Sequence, residues 1–299
     1  MTDFLCTVCG HTRNSTVLTD YPAAGRSWDL VQCRHCGLIR TYPMPDDKVL
    51  SDQYSDNYRA AGDDASTSMI YNLRMNGLAR KLRKLTRSGD SALDVGAGNG
   101  AWTALLLSHG FDATGIDPYA EESSAPRILT CSLEDAPFEN QSIDLITFMH
   151  VLEHLKDPVK SLGIAVSLLK PGGLLVIEVP NIESLGYVLF KKRWFPLDDI
   201  PSHISHFSRE SLSYLVRQTG EFVPVMDSGF SLKDSPSILA NTLFPGLCPR
   251  TVRKNHAGRH PLHLKIIYLL VQLALLPVAW IAARTGRGEV IRLVLKKPD

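Results

Sequence analysis

Between residues 91 and about 230, short apolar runs alternate with stretches of helical periodicity. That is the pattern of a parallel sheet with crossover helices. Apolar runs predict strands at 92–95, 112–116, 128–131, 143–148, 174–179 and 222–226, and helical spacing predicts helices at 102–108, 159–169 and 211–219. The helix at 159–169 is expected to end at Lys170-Pro171-Gly172-Gly173, because proline cannot continue a helix and glycine permits a reversal. The run at 174–179 is continuously apolar, as in a central strand buried on both faces.

The flanks read differently. Residues 1–45 are turn-rich and hold four of the six cysteines. Residues 46–90 look helical and polar, ending in the basic run Arg80, Lys81, Arg83, Lys84 and Arg87, and read as a linker and cap for the α/β segment. Residues 231–287 interrupt the α/β rhythm with proline-rich stretches and a long apolar helix, after which 290–295 forms a last strand. The domain reading is therefore 1–45, 46–90 and 91–299, the last with an insertion at about 231–287.

Composition narrows the partners. Of 299 residues, 44% are hydrophobic and 21% charged, ordinary for a globular protein. Lys and Arg number 32 against 31 Asp and Glu, a balance that argues against a nucleic-acid binder. The first nine residues lack a basic stretch followed by an apolar one, so no secretory leader is expected. Cysteines in such a chain point to a reducing, cytoplasmic setting, where Cys-x-x-Cys pairs are more often metal ligands than disulfides.

Leu93-Asp94-Val95-Gly96-Ala97-Gly98-Asn99-Gly100 carries most of the chemistry: a strand runs into a glycine turn and then a helix. Such a turn lets the backbone approach a ligand closely, and the helix N-terminus offers unpaired N–H groups to an anion. Asp117 ends the next strand, where a carboxylate can accept the hydroxyls of a ribose. Gly96-x-Gly98-x-x-Ala101 also satisfies the dinucleotide fingerprint, so the loop by itself leaves NAD open.

The ordered set of motifs is more specific. The segment 93–100 resembles the first motif of class I S-adenosylmethionine-dependent methyltransferases, and Gly115-Ile-Asp-Pro118 their acidic second-strand motif. Leu133-Glu-Asp-Ala-Pro-Phe138 with Ser142-Ile-Asp-Leu-Ile146 resembles the adenine-side loop and fourth strand, and Leu168-Leu-Lys-Pro-Gly-Gly-Leu-Leu175 the motif before the fifth. The resemblance covers roughly residues 70–230. It implies S-adenosylmethionine bound over Asp94, Gly96, Gly98 and Gly100, with its ribose on Asp117 and its adenine near Leu133 and Glu134. In the ubiquinone-type O-methyltransferases an upstream arginine helps hold the cofactor carboxylate, and Arg74 is the nearest match here.

Two histidine clusters are candidates for proton transfer. His150-Val-Leu-Glu153-His154 comes directly after the fourth strand, and on a helix its three polar residues would share one face. A carboxylate with imidazoles can act as a general base or as part of a metal site. The Glu-His pair resembles that of the ubiquinone-type enzymes, which have a glutamate in the place of His150. Pro201-Ser-His203-Ile-Ser-His206-Phe-Ser208 offers two more imidazoles ahead of a helix with Ser208 and Ser211 as candidate caps. Each residue also has a plain reading as a packed or capping side chain. Lys191-Lys-Arg-Trp-Phe-Pro196 reads as a lid, a phosphate contact or a solvated loop.

Cys6-Thr-Val-Cys9-Gly10 and Cys33-Arg-His-Cys36-Gly37 are two knuckles of one form, suited to a closed four-thiolate zinc site of structural kind, with His11 and His35 as bystanders. The apolar stretch at 264–283, preceded by Arg250, Arg253, Lys254, Arg259 and His260, reads as a buried lid helix or as a helix lying on the inner face of a membrane. A single crossing would leave the last strand on the wrong side of the bilayer from its sheet. The expected fold is α/β, a Rossmann-like doubly wound sheet with an antiparallel last strand and a small N-terminal zinc ribbon. The expected activity is methyl transfer from S-adenosylmethionine to a small molecule such as a sugar, a lipid-linked saccharide or a quinone. The rivals are an NAD-dependent oxidoreductase and a non-catalytic zinc-ribbon interaction protein.

Overall fold

The computed structural model describes residues 4–51, 65–87, 89–120, 127–256 and 260–299. Part of the predicted helical segment 46–90 and Arg259 lie outside the described residues. The chain forms two compact units: Asp63–Val179 with Leu212–Asp227 and Arg292–Asp299, and Met1–Gly62 with Pro180–Ser211 and Ser228–Ile291. Both are assembled from separated stretches, and they cut across the sequence boundaries at 45 and 90.

The first of these, the parallel-sheet unit, holds helix α1 (Ala65–Leu85), strand β4 (Ser91–Val95), helix α2 (Ala101–Ser108), β5 (Asp112–Ile116), β6 (Ile128–Leu129), β7 (Ile143–Met149), α3 (Pro158–Leu168) and β8 (Leu169–Pro180). With β10 (Val223–Ser228) and β11 (Val290–Lys296) these strands make a seven-stranded sheet in the order β10-β11-β8-β7-β4-β5-β6. It is mostly parallel, and the last strand is antiparallel. Apolar residues at i, i+3 and i+4 aim Trp102, Leu105 and Leu106 of α2 at Ala92, Ala113 and Leu145 of the sheet, and Leu78 and Leu82 of α1 join the same cluster. Each buried leucine contributes roughly 1.5–3 kcal/mol. Asp157 caps α3 by accepting the Lys160 N–H at 2.9 Å, with Pro158 in the first turn where no N–H is needed.

Three predicted elements differ. The turn expected at 170–173 lies inside β8, which begins directly after α3. Pairing with β7 slips between Ile143↔Leu169 and Leu145↔Leu174, so the Pro-Gly-Gly stretch is a bulge. The chain's end holds it there, since Gly172 N–H donates to the Lys297 carbonyl and Lys297 N–H to that of Gly173. The strand expected at 128–131 is only Ile128–Leu129, because Cys131 N–H turns back to the Leu129 carbonyl. The strand expected at 222–226 runs Val223–Ser228 at a sheet edge.

The second unit, which bears the cysteines, carries a four-stranded sheet, β1 (Asn14–Ala23), β2 (Arg26–Cys33), β3 (Ile39–Tyr42) and β9 (Ser205–His206), in the order β1-β2-β3-β9. Trp28, Leu30, Ile39, Trp194, Ile238 and Val290 share its core. Glu289 is fully buried within it and accepts the Gly186 N–H and the Trp194 indole N–H, at 2.8 and 2.9 Å. Around the core lie α4 (Leu185–Phe190), α6 (Asp234–Leu243), α7 (Pro249–Asn255) and α8 (Leu262–Arg284), while α5 (Arg209–Thr219) begins in this unit and continues in the other. Helix α8 packs on α6, but only 17% of its most apolar window is buried, so the buried-lid expectation is not met. One row of its side chains packs; the rest face outward.

Candidate active site

The register of the parallel strands sets the site. Val95 of β4 lies beside Ile116 of β5 and Phe148 of β7, and Met149 pairs with Glu178 of β8. The loops after these strand ends therefore emerge at one edge of the sheet. The strand order reverses around β4, which is where open α/β sheets bind ligands.

The glycine turn is closely built. Gly96, Gly98 and Gly100 have φ of 68°, 55° and 76°, in the left-handed region. Gly96 and Ala97 N–H both donate to the Ile116 carbonyl, at 2.8 and 3.0 Å. A Cβ on Gly96 would lie 2.6 Å from Val151 Cγ2, so the position excludes a side chain by contact as well as by conformation. Gly100 is the N-cap of α2 and has no side chain to cap it, while Asn99 Oδ1 accepts the Ala101 N–H at 3.2 Å. Asp117 reaches the turn directly: one carboxylate oxygen accepts the Gly98 N–H at 3.0 Å and the other the Tyr119 N–H at 2.8 Å.

Asp94 is buried beneath this turn. Its oxygens accept the Thr103 and Thr147 hydroxyls at 2.8 and 3.0 Å, and Trp102 Nε1 donates to Thr147 at 3.2 Å. Burial outweighs those hydrogen bonds and pushes its carboxyl up to about 7. The structure thus gives Asp94 partners inside the protein that tie α2 to β7. Leu133 is buried, and Glu134 is exposed and pairs with Lys160 at 3.6 Å. Arg74 is half-buried on α1.

Beyond β7 the residues do not share a helix face. His150 has φ of 59°, and only Leu152–His154 comes after it, as a single 3₁₀ turn. The backbone holds His150 there by donating its N–H to the Glu178 carbonyl at 2.8 Å. Its ring lies between two carboxylates, Nδ1 at 3.4 Å from Glu153 and Nε2 at 3.3 Å from Glu178. Glu153 and Glu178 are 2% and 0% exposed and His150 24%, so the histidine is the solvent-facing member of the trio. Glu178 also pairs with the Arg292 guanidinium of the last strand. Sequence reasoning missed both Glu178 and Arg292. The signal was a single glutamate inside the apolar run 174–179, answered by a single arginine inside 290–295.

The other two predicted histidines belong to the cysteine-bearing unit. There His203 and His206 meet edge to face, with ring centroids 6.4 Å apart. The Thr41 hydroxyl donates to the His203 carbonyl at 2.7 Å, so its oxygen accepts from His206 Nε2 at 3.0 Å, which fixes that tautomer. Burial, with His203 beside it, lowers the His206 imidazole to about 3, so the ring is neutral at pH 7.

In the same unit Cys6, Cys9, Cys33 and Cys36 converge, with ligand atoms all within 4.8 Å of one another and Sγ–Sγ distances of 3.5 Å for Cys6–Cys36 and Cys9–Cys33. Tetrahedral zinc–thiolate geometry asks for sulfurs about 3.8 Å apart. Gly10 and Gly37 close the knuckles by donating to the Cys6 and Cys33 carbonyls. The Cys36–Cys6 hydrogen bond lowers the Cys6 thiol to about 5 and raises that of Cys36. His11 and His35 stack on each other at 3.7 Å and are exposed.

A family model described as a methyltransferase domain matches residues 71–221, just over half of the chain. The chain belongs to the methyltransferase domain family. A ubiquinone biosynthesis O-methyltransferase of Coxiella burnetii is 29% identical over 149 residues, which cover 46% of this chain and 62% of that protein. The mitochondrial enzyme of the same name from Rattus norvegicus is 35% identical over 117 residues, 34% of each chain. The chain thus spans less than two thirds of these relatives' length. Among solved structures, the 1,6-didemethyltoxoflavin-N1-methyltransferase of Burkholderia thailandensis, with S-adenosylhomocysteine bound, aligns with a TM-score of 0.50 and 15% identity over 95% of this chain and all of that one. The methyltransferase domain therefore shares the class I fold, and its glycine turn, Asp117 and the His150 trio all fall inside the matched residues.

Proposed function

We propose that the protein transfers a methyl group from S-adenosylmethionine to a small molecule, with a hydroxyl of a quinone, a sugar or a lipid-linked saccharide as the acceptor. The observation that carries the reading is the contact between Asp117 and the Gly98 amide. It brings a carboxylate able to hold a ribose to a backbone turn able to approach an amino-acid carboxylate. The family match and the names of the O-methyltransferase relatives support the same reading.

When bound, S-adenosylmethionine supplies an electrophilic methyl group. Gly96 to Gly100, with Arg74, would hold its carboxylate end, Asp117 its ribose, and Leu133 and Glu134 its adenine. Asp94 steadies the turn from beneath. Alignment of the two reactants is most of what such a displacement requires. The remaining need is removal of the acceptor's hydroxyl proton. His150, with its ring nitrogens 3.4 Å from Glu153 and 3.3 Å from Glu178, is the group assigned to take that proton. His154 comes after Glu153 in the same turn. His206, whose Nε2 proton is committed to Thr41, serves as a structural residue in this scheme.

We further infer that the four cysteines hold one zinc ion. All four positions are filled by protein sulfur, so the metal is structural and leaves no place for substrate.

Isothermal titration with S-adenosylmethionine, S-adenosylhomocysteine and NAD tests the cofactor. Binding of both sulfur ligands, lost in Asp117→Ala, is expected; binding of NAD alone overturns the reading. His150→Asn keeps a side chain that tolerates positive φ. It is expected to lower kcat by about 10²–10⁴-fold with cofactor affinity unchanged. An unchanged kcat would remove the trio from the chemistry.

A further inference from the structure

Helix α8 carries more exposed apolar surface than the rest of its unit explains. Leu262, Ile266, Leu270, Leu273, Trp280 and Ile281 are each 49–72% exposed, and between Ile266 and Ile281 the outward face has no charged residue. The opposite face is fixed. Gln272, Ala279 and Ala282 are buried, Gln272 Nε2 donates to Ser237 of α6 at 3.2 Å, and Ala283 approaches Gly229. A helix of 23 residues is about 34 Å long, enough to span a bilayer, but α8 is held by α6 and leads into β11 of the sheet. Its outward face can therefore lie along an apolar phase but cannot thread through one.

Charge identifies the occupant. From Ser235 to Gly288 the sequence has no Asp or Glu, while it has seven Lys and Arg and three His. The rest of the chain keeps 25 Lys and Arg against all 31 Asp and Glu. The sequence on both sides of the apolar face is basic: Arg253 and Lys254 in α7 and Lys265 at the start of α8 precede it, and Arg284 and Arg287 come after it. Arg250 is already paired with Asp199. Arg284 stacks on Trp280 at 4.5 Å, an aromatic–cation pair of the kind that settles at headgroup level. A second copy of this surface would bring like charges together at both ends. An acyl layer rimmed by anionic headgroups satisfies both the apolar face and its rims. We propose that α8 docks the protein in the plane of an anionic membrane surface, with Ile266, Leu270, Leu273 and Trp280 making the apolar contact.

The four tryptophans make the test specific, because Trp28, Trp102 and Trp194 are 1–3% exposed and Trp280 is 49% exposed. The full chain is mixed with vesicles of phosphatidylcholine alone or with a quarter phosphatidylglycerol, and binding is read by flotation and by quenching from acyl-brominated lipid. Expected are flotation with the anionic vesicles, weakened by salt, and quenching that disappears in Trp280→Phe. Leu270→Glu with Leu273→Glu should lower vesicle affinity at least tenfold with an unchanged circular dichroism spectrum. Arg253→Ala with Lys254→Ala should lower it by about fivefold per charge. A folded protein that stays out of the floated fraction overturns the proposal. So does flotation without Trp280 quenching, and so does a dimer that Leu270→Glu dissociates, which would make a second copy the occupant.

Discussion

The two compact units keep buried ionisable groups in opposite ways. In the parallel-sheet unit, Asp94 is buried among hydroxyl donors and its carboxyl rises to about 7. In the cysteine-bearing unit, His206 is buried beside another imidazole and falls to about 3. Both shifts favour the neutral form, since burial penalises charge whatever its sign. Their consequences for stability are opposite because one group is an acid and the other a base. The units differ as well in what completes them. The sheet unit closes on apolar packing and the buried Glu178–Arg292 ion pair, whereas the other brings four thiols together at one point.

The largest expected effect separates the units by metal. One zinc per chain should be found, and a strong chelator or Cys33→Ser should remove it. Peptide-resolved hydrogen exchange should then show β1 to β3 losing protection while β4, β5 and β7 keep theirs. Equal loss in both units would end the contrast. Next is the ion pair beneath the trio. Arg292→Met leaves the buried Glu178 with His150 but without its guanidinium and should cost about 3–5 kcal/mol in denaturant unfolding, confined to the sheet unit.

The pH dependence comes third. Asp94 in the folded chain binds its proton more tightly than the reference value of 3.8, so its contribution is full below about pH 4 and lost as pH rises towards 7. His206 binds its proton less tightly than the reference 6.5, so its contribution is full above that pH and lost as pH falls towards 3. Exchange protection measured from pH 4 to 8 should therefore slope in opposite directions in the two units, each by a few kcal/mol at most. Asp94→Asn should flatten the first slope and His206→Gln the second. Slopes of one sign would show that other groups dominate. The smallest effect is local: Gly96→Ala should cost about 1–3 kcal/mol and weaken cofactor binding. Adding Val151→Ala removes the 2.6 Å contact and should restore part of the stability but not the strained φ.

The two units were also unequally legible in the sequence. The glycine turn, Asp117 and β4, β5 and β7 could be read because their signals are local: an apolar run, a glycine turn and an acid at a fixed distance. The knuckles were legible for the same reason, four cysteines in two equal spacings. His150 was found but its setting was not. Helical spacing was considered where a residue in left-handed conformation stands, because the bond from its N–H to the Glu178 carbonyl reaches a strand 28 residues away.

By itself the sequence determined the order along the chain of the seven strands of the larger sheet, the cofactor-side motifs, the four thiols and the apolar, acid-free segment near the end, but not β1, β2, β3 or β9. Each depends on residues close together in the chain, where periodicity and spacing are sufficient. Only the tertiary structure decided that Glu178 joins Glu153 at His150, that Arg292 answers Glu178, that His206 pairs with β3 and donates its Nε2–H to Thr41, and that α8 turns its leucines outward. These depend on which strands become neighbours and which helix face finds a partner. The pairings of Glu178 with His150 and Arg292 and of His206 with Thr41 join residues about 30 to 165 positions apart, and they are chosen by the burial of the whole unit rather than by any local preference.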